Sequence, residues 1–450
     1  MQRNHKIIGL ILILCVCSWA ITGYVIAATP SQITYLSPGS LTETVSYTIW
    51  IDGTTYYAKD GETGQILTSS TDIGALINTL KEELPTRGGT IFVKGADYKQ
   101  STTITIDNGD VDLTILGEAY KTTTVFQVQT DIYSINVTGY STDVLVEHLR
   151  IAHIKIQPKA ALTSTKPAIF LQYVGGSKFE NLAIDNMGYG IYADTGETPN
   201  VITQCVFNTI TIYEPEESGI VLQDSYDCRL YDIKVLDAQG DYIADSRAGI
   251  KLIHPYGGDV LDSCLVLNGL GHGIMVTENA HWTLLINCIS DTNEGSSIVL
   301  TEAEGTQIVN CWGSSSQNID TYGILIDRCN DTMISNSQFR TNGAHGIYVV
   351  DSSSTVITSS MSLTNGQESQ GYGLSIVDSD NTIVSACTMA NRWSGSYNVT
   401  AQIKGIDEDS DSSYTNIVGV DTIDNLSYGI IVAGADVHVN SSWNSTVWVD

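Results

Sequence analysis

Residues 249–264 read GIKLIHPYGGDVLDSC, and residues 273–288 read GIMVTENAHWTLLINC. In both stretches a Gly-Ile pair opens a short apolar strand, and a second short strand ends in Ser or Asn followed by Cys. Repeats of this size, with short strands and no helical pattern, predict a solenoid in which each turn packs only against its neighbours.

The same opening recurs from about residue 168 to residue 430 at steps of 22 to 30 residues until residue 373. The openings are Ala168-Ile169, Gly190-Ile191, Gly219-Ile220, Gly249-Ile250, Gly273-Ile274, Ser297-Ile298, Gly323-Ile324, Gly346-Ile347, Gly373-Leu374 and Gly429-Ile430. The chain has 40 glycines and only 16% charged residues, a composition that suits short strands joined by tight turns.

The net charge of −29 argues against two classes of partner. A chain this acidic repels nucleic acid and anionic lipid surfaces, so we expect no nucleic-acid partner and membrane contact only through the N-terminal segment. The charge favours solubility outside the cell, and it also suits cation binding or an acidic sugar held through Ca²⁺.

Residues 1–28 are predicted to be a targeting segment. Arg3 and Lys6 precede an uncharged stretch that ends in small residues, which favours a cleaved signal peptide. The stretch is also long enough for an uncleaved membrane anchor. Both alternatives place the protein in the extracellular space or at the cell surface. Glycosylation sequons begin at Asn136, Asn330, Asn398, Asn425, Asn440 and Asn444.

The region before the repeats is expected to hold strands and one helix. Residues 29–70 contain two strands around a hairpin turn at Asp52-Gly53. Residues 72–84 have a helical apolar period, with Asp72 as N-cap and Pro85 as terminator. We assign residues 71–435 to the solenoid and residues 436–450 to a C-terminal cap.

The helix is followed by Gly88-Gly89-Thr90-Ile91-Phe92-Val93. This combination resembles the entry module of the pectate-lyase-like superfamily, and the repeats resemble its rungs, over roughly residues 70–435. The resemblance implies an all-β, single-stranded right-handed parallel β-helix whose short N-terminal helix caps an open end. The architecture carries lyases, hydrolases, epimerases, viral spikes and adhesins, so the resemblance leaves the activity open.

The cysteines are predicted to be free core residues. The chain has nine, of which two lie in residues 1–28, and the remaining seven (9 − 2) are an odd number. The alignment places Cys205, Cys264, Cys288, Cys311 and Cys387 at one repeat position. Stacked, buried thiols behave as small hydrophobes, and without His at that position we expect no metal site.

The strand after each Gly-Ile should direct alternate residues outward. In the superfamily this broad face often carries the active groove. The first outward row here is largely aliphatic: Val221, Lys251, Met275, Val299, Leu325, Tyr348 and Ser375. This row argues against a strongly acidic catalytic groove on the face itself.

A polar row follows in the next turn, formed by Asp224, His254, Glu278, Glu302, Arg328, Asp351 and Asp378. Neighbouring rungs lie about 4.8 Å apart. We therefore predict that Glu278 and Glu302 lie side by side, with Asp327 and Arg328 on the next rung, as candidate catalytic residues. Lys251 and His254 are the candidate substrate-binding residues on the other side.

These candidate residues contain the functional groups that either of two reactions requires. A lyase needs a base beside a carboxylate and a cation that stabilises the charge that develops. A glycoside hydrolase needs two carboxyl groups at a suitable separation. The alternative is an ordinary solvated turn.

Two further motifs are assigned no function. Gly271-His272-Gly273 resembles a tripeptide of the polygalacturonases, but their Asn-Thr-Asp and Asp-Asp motifs are missing, so we interpret His272 as a turn residue. The acidic loop at residues 407–411 lacks the Gly and terminal Glu of a helix-loop-helix calcium site. Ca²⁺ is compatible with this loop, but a solvated loop is the default, and no cofactor or metal site is assigned.

The sequence thus predicts a secreted or surface β-helix protein that binds polysaccharide or a cell-surface glycan. Cleavage by a lyase or hydrolase mechanism is the catalytic form of this hypothesis. A non-catalytic adhesin, a cell-envelope structural protein or a viral-spike-like scaffold is the alternative.

Overall fold

The computed structural model describes residues 45–449, with gaps at 86–87, 111, 120–122, 194–200, 241–246, 369, 392–401, 426, 434–436 and 441–446. The predicted targeting segment 1–28 and the start of the predicted 29–70 region lie outside the described residues. No helix within the described residues is long and apolar enough to cross a membrane.

The described chain winds as a parallel β-helix through three long sheets, here named A, B and C. Sheet A contains strands Tyr47–Asp52, Thr55–Asp60, Ile66–Ser70, Gly89–Val93, Leu113–Gly117, Arg150–Ala152, Lys178–Glu180, Val206–Asn208, Arg229–Tyr231, Val260–Asp262, Leu284–Ile286, Gln307–Val309, Met333–Ser335, Val356–Thr358, Ile383–Ser385, Asn416–Val418 and His438–Asn440. Sheet B contains strands Ala96–Gln100, Thr124–Val128, Lys155–Pro158, Ala183–Asp185, Thr211–Tyr213, Lys234–Leu236, Leu265–Leu267, Ile289–Asp291, Trp312–Ser314, Gln338–Arg340, Met361–Leu363 and Thr388–Ala390.

Sheet C contains the strands that open with Gly-Ile. Its strands are Ile104–Asp107, Ile135–Thr138, Pro167–Gln172, Tyr189–Ala193, Ile220–Gln223, Ala248–Ile253, His272–Thr277, Ile298–Thr301, Ile324–Asp327, Ile347–Val350, Tyr372–Val377, Lys404–Glu408, Tyr428–Val432 and Val447–Val449. Two short sheets bridge C to A, one with Val146–Glu147, Val174–Gly175, Ile202–Thr203 and Ser225–Tyr226, and one with Ala280–His281 and Ala303–Glu304.

The Gly-Ile repeat sets the register of sheet C, as predicted. Ile250 pairs with Ile274, which pairs in turn with Ile298, and all three are fully buried. A side chain at Gly273 would collide with Ser290 of sheet B, so the inner corner of the rung leaves no room for a Cβ. Gly405-Ile406 is a further rung of the same register that the sequence alignment did not include.

The predicted helix is present as α1, Ile73–Glu82, and it is the only helix within the described part of the chain. The Asp72 carboxylate accepts a hydrogen bond from the Ala75 amide and caps its first turn. Leu76, Ile77 and Leu80 are buried on one face of this helix, as the apolar period predicts. The first two strands, Tyr47–Asp52 and Thr55–Asp60, pair as an antiparallel hairpin.

The seven described cysteines are free and buried, as predicted. Cys264, Cys288 and Cys311 directly precede strands of sheet B that pair with one another. The assignment of Cys205 to this column was wrong. It precedes a strand of sheet A and shares its column with Cys228. The cause is local similarity, because a polar residue followed by Cys opens strands in both sheets.

Candidate functional site

In seven consecutive rungs, the residue that directly follows a strand of sheet C lies in the left-handed backbone region. These residues lie on successive rungs and are named the turn column: Asp224, His254, Glu278, Glu302, Arg328, Asp351 and Asp378. Their φ angles lie between 46° and 64°. The Glu302 amide donates to the Asp327 carbonyl of the next rung (2.9 Å), and comparable bonds link most of the column. The shared backbone therefore fixes where each side chain leaves the β-helix.

Three of the predicted catalytic residues come together at the middle of the turn column. The Arg328 guanidinium pairs with Glu302 (Nε to Oε1, 3.2 Å) and with Asp327 (Nη2 to Oδ2, 3.0 Å). Glu302 and Arg328 are exposed, whereas Asp327 ends its strand and is half-buried. The three side chains form a contiguous cluster, named the arginine cluster, with two carboxylates around one cation.

Burial raises the pKa of Asp327 above its ordinary value. The Arg328 charge opposes the rise, and Asp351 and Glu302 add to it. The pKa of the neighbouring Tyr348 phenol is also raised, by burial first and then by nearby carboxyls that include Asp351 and Asp327. A half-buried carboxyl with a raised pKa beside a second carboxylate is the arrangement that a general acid requires.

The pairing of Arg328 also limits its use. Because its guanidinium already contacts Glu302 and Asp327, a substrate carboxylate would have to displace one of them. An acidic sugar would also face the negative charges of Asp351 and Asp378, which are exposed farther along the column. The cluster is therefore better suited to a neutral sugar than to bidentate capture of a uronate.

The other predicted residues lie away from the arginine cluster. Glu278 is exposed on the rung before Glu302, and it forms no ion pair with another described residue. Lys251 lies in the outward row of sheet C, where its charge helps to lower the pKa of His272. His254 is two rungs from Glu302 in the turn column. The structure thus brings Glu302, Asp327 and Arg328 into contact and leaves the remaining three candidates outside that contact.

His254 belongs to a separate pair. Its Nδ1 lies 2.8 Å from the Asp224 carboxylate, whose side chain is fully buried, while the His254 side chain keeps 27% of its surface exposed. Tyr256 packs against the His254 ring (4.2 Å between centroids), and Tyr226 stacks on Tyr256 (4.7 Å). The buried aspartate therefore orients the imidazole beside an aromatic strip.

An aromatic row on the outer face of sheet C was missed by the sequence prediction. His345 stacks on Tyr372 (4.7 Å) and on Tyr322 (5.7 Å), and Tyr348 packs against Tyr322 (4.9 Å). The Lys404 ammonium lies 4.8 Å from the Tyr372 ring centre. Tyr322, His345 and Tyr372 each immediately precede the Gly of a Gly-Ile or Gly-Leu pair. The residue before each repeat opening could therefore have revealed the aromatic row from the sequence.

The two histidines that precede Gly have a backbone role. Nδ1 of His272 accepts from the Ser296 amide (3.0 Å), and Nδ1 of His345 accepts from the Tyr372 amide (3.1 Å). Burial lowers the pKa of each imidazole to about 4. The interpretation of His272 as a turn residue was wrong, because it is the first residue of a strand of sheet C and its ring accepts a hydrogen bond from the next rung.

One group of carboxylates could hold a metal ion. Asp378, Asp409 and Asp411 each offer an oxygen within 4.8 Å of the others, and no other group of three such ligands occurs within the described ranges. An all-oxygen set suits Ca²⁺ or Mg²⁺ rather than a soft metal. The Asp409 carboxylate already accepts hydrogen bonds from the backbone amides of Asp378 and Ser412.

Two shallow depressions lie elsewhere, on the outer face of sheet A. They measure about 530 and 570 Å³, and Asn381 and Ile383 line both of them. Neither depression contains a residue of the turn column or the arginine cluster. Glu302 and Arg328 are exposed, so any chemistry at the arginine cluster would take place at the protein surface.

The sheet order, the stacked register and the helix at the entry confirm the predicted parallel β-helix fold. Residues 200–404, somewhat less than half of the chain, match a family model described as "Periplasmic copper-binding protein (NosD)". A sequence search of curated proteins finds no match.

Solved structures share the fold at low sequence identity. Tailspike protein 3 of bacteriophage CBA120 has a TM-score of 0.59 and 12% identity, covering 93% of this chain and 67% of that one. The A-module of Azotobacter vinelandii mannuronan C-5 epimerase AlgE6 has a TM-score of 0.53 and 13% identity, covering 82% and 96% of the two chains. The A-module of AlgE4 from the same organism has a TM-score of 0.51 and 14% identity, covering 84% and 96%.

Proposed function

We propose that this chain is an extracellular or cell-surface protein that binds polysaccharide across the turn column and the adjoining outer face of sheet C. The observation that carries the proposal is the position of Tyr348, which links the arginine cluster to the aromatic row. Its strand pairs with the strand that ends in Asp327, and its ring packs against Tyr322 (4.9 Å between centroids).

Sugars combine apolar C–H faces with a rim of hydroxyl groups. An aromatic surface beside charged hydrogen-bonding groups is complementary to both parts. The matched family is described as periplasmic, and the similar solved structures include two mannuronan epimerases. These names support a glycan ligand and a location outside the cytoplasm.

The catalytic form of the proposal assigns roles within the arginine cluster. Asp327, with its raised pKa, is the candidate general acid, and Glu302 is the candidate second carboxylate of a hydrolase. Arg328 holds both carboxylates in place and would stabilise negative charge in a lyase reaction. Glu278, Lys251 and His254 then act only as binding residues beside this cluster.

A non-catalytic scaffold is the second candidate, and one observation favours it. Arg328 pairs with both Glu302 and Asp327 within the chain, as in a purely structural turn. In this form the same surface binds glycan without cleaving it. Copper binding is not proposed, because copper prefers nitrogen and sulfur ligands, whereas the candidate metal group consists of carboxylates.

The test compares the purified full-length protein with three variants, Glu302→Gln, Asp327→Asn and Arg328→Gln. Binding to a panel of neutral and acidic polysaccharides is measured together with the release of reducing ends and of unsaturated products. Asp331→Asn, an exposed substitution outside the site, is the matched control. The proposal predicts glycan binding that Arg328→Gln weakens, and Asp331→Asn does not.

The outcome also separates the two forms. Turnover that Asp327→Asn and Glu302→Gln abolish without unfolding the protein supports catalysis, whereas binding without any product supports the scaffold. The absence of binding to every glycan would overturn the proposed function.

A further inference from the structure

Trp282 is the most exposed tryptophan of the described residues, with 66% of its surface accessible. Its indole ring occupies the space next to two glycines of neighbouring rungs. A Cβ at Gly257 would lie 3.2 Å from its Cε3 atom, and a Cβ at Gly305 would collide with its five-membered ring. The missing side chains therefore allow the indole to lie along the surface, across adjacent rungs.

The backbone at Trp282 is unusual for an aromatic residue. Its φ of 47° belongs to a second column of left-handed residues, which follows the short bridging strands. Most other rungs place Gly, Asp or Asn here, which adopt this conformation readily: Gly176, Asp227, Gly258, Gly305, Asp331 and Asn381. Gln204, Ser354 and Tyr414 occupy the same column. The backbone alone therefore does not identify Trp282 as a binding residue, and the groups around its indole supply that evidence.

Polar groups surround the indole. His281, on the same rung, pairs with Glu304 of the next rung (Nδ1 to Oε2, 3.3 Å), and its ring lies 6.0 Å from that of Trp282. The strip formed by His254, Tyr256 and Tyr226 lies on the preceding rungs. A flat apolar surface with hydrogen-bonding groups at its edge matches the two sides of a sugar ring.

The charges near Trp282 select among sugars. Glu278 precedes it on the same rung and is exposed, and Glu302 and Glu304 lie on the next rung. A uronate on the indole would face these carboxylates, whereas a neutral ring would accept hydrogen bonds from His281 and donate hydroxyl protons to the glutamates.

We propose that Trp282 forms a binding subsite for a neutral sugar ring, part of a glycan that crosses obliquely from the column of Trp282 to Glu302 and Arg328 in the turn column. This inference rests on the proposed function and names its substrate class. Because rungs repeat about every 4.8 Å, and Glu302 lies on the rung after Trp282, such a glycan would pass from Trp282 to the arginine cluster within the next two rungs.

The test measures binding of soluble glucans and mannans, and of polymannuronate and polygalacturonate, to the full-length protein by tryptophan fluorescence. Trp282→Asn should weaken binding of the neutral glycan at least tenfold and abolish most of the fluorescence change. The same substitution should keep or raise the thermal midpoint, because Asn adopts the left-handed backbone more easily than Trp. A merely structural tryptophan would instead lower the midpoint when it is removed.

Tyr414→Asn is the matched control, since Tyr414 has the same backbone conformation (φ 57°) and is 59% exposed in the same column, five rungs away. It should leave neutral-glycan binding unchanged. Unchanged binding by Trp282→Asn, or equal quenching by polyuronates, would overturn the subsite. If Arg328→Gln loses binding and Trp282→Asn does not, only the subsite fails, whereas a wild-type protein that binds no glycan overturns both proposals.

Discussion

Asp259 provides a quantitative test of how the turns beneath the aromatic strip are held. Its carboxylate is fully buried and accepts hydrogen bonds from the Ser225 hydroxyl and from the Cys228 amide (2.7 Å). No cation among the described residues pairs with it. Burial raises the pKa of Asp259 from 3.8 to about 6, and Asp227 adds to the rise. The next rung has a buried, uncharged Thr283 at the same position.

The difference between a pKa of 3.8 in the unfolded chain and about 6 in the folded protein corresponds to about 3 kcal/mol of unfolding free energy. An acid whose pKa is higher in the folded state binds its proton more tightly there than in the unfolded chain. Its stabilising effect is therefore complete below about pH 4 and is lost as the pH rises through about 6. Above that pH the wild-type protein must keep a buried, unpaired charge.

The substitution Asp259→Asn removes this charge and keeps the contacts. The side-chain carbonyl can still accept from the Cys228 amide, and the Ser225 hydroxyl can rotate to accept from the new amide group. We expect the variant to be more stable than the wild type by about 2–3 kcal/mol at pH 8, and nearly equal to it at pH 4.

The assay is urea unfolding followed by far-ultraviolet circular dichroism at both pH values. Asp331→Asn serves as the control, because Asp331 is exposed and its substitution should not change the difference between the two pH values. If Asp259→Asn is less stable than the wild type at pH 8, or has the same pH dependence, the carboxylate is not an uncompensated buried charge and the reasoning fails.

Two further predictions concern the core and the entry to the β-helix. Cys288, fully buried between Cys264 and Cys311, should react with a thiol reagent only after denaturation, and mass spectrometry should find it reduced; rapid labelling of the native protein would contradict the stacking. Deleting residues 1–98 should cause aggregation, because it removes α1 and uncovers apolar residues such as Ile104. Deleting residues 1–28 should not cause aggregation. If light scattering shows that the product of the longer deletion is folded and monomeric, α1 does not act as a cap.

The fold was predictable because Gly-Ile marks the same corner of successive rungs. The Gly405-Ile406 rung was not recognised in the sequence because it lies 32 residues after Gly373 (405 − 373), a longer step than the others. Cys205 was wrongly assigned to the cysteine column of sheet B for a different reason. The turns before strands of sheets A and B both place a small residue inward, and only the strand pairing shows to which sheet a given turn belongs.

The candidate site was predictable only where it depends on the register. Adjacent rungs bring Glu302 next to Arg328, which the alignment anticipated. The pairing of His254 with buried Asp224, and the position of Trp282 against Gly257, depend on side-chain conformations that no repeat period encodes. Those contacts required the three-dimensional structure.

In the turn column, the side chains that could bind a ligand are different residues from the buried ones that stabilise the fold. Every column position has the same backbone, and at every position except buried Asp224 a polar side chain projects outward above the buried stacks of sheet C. Evolution can therefore rewrite the column one position at a time with little effect on the core. Insertion of a complete rung would move the two halves of a binding surface apart by about 4.8 Å. Ligand length, as well as ligand chemistry, is thus a property that this architecture can change in discrete steps.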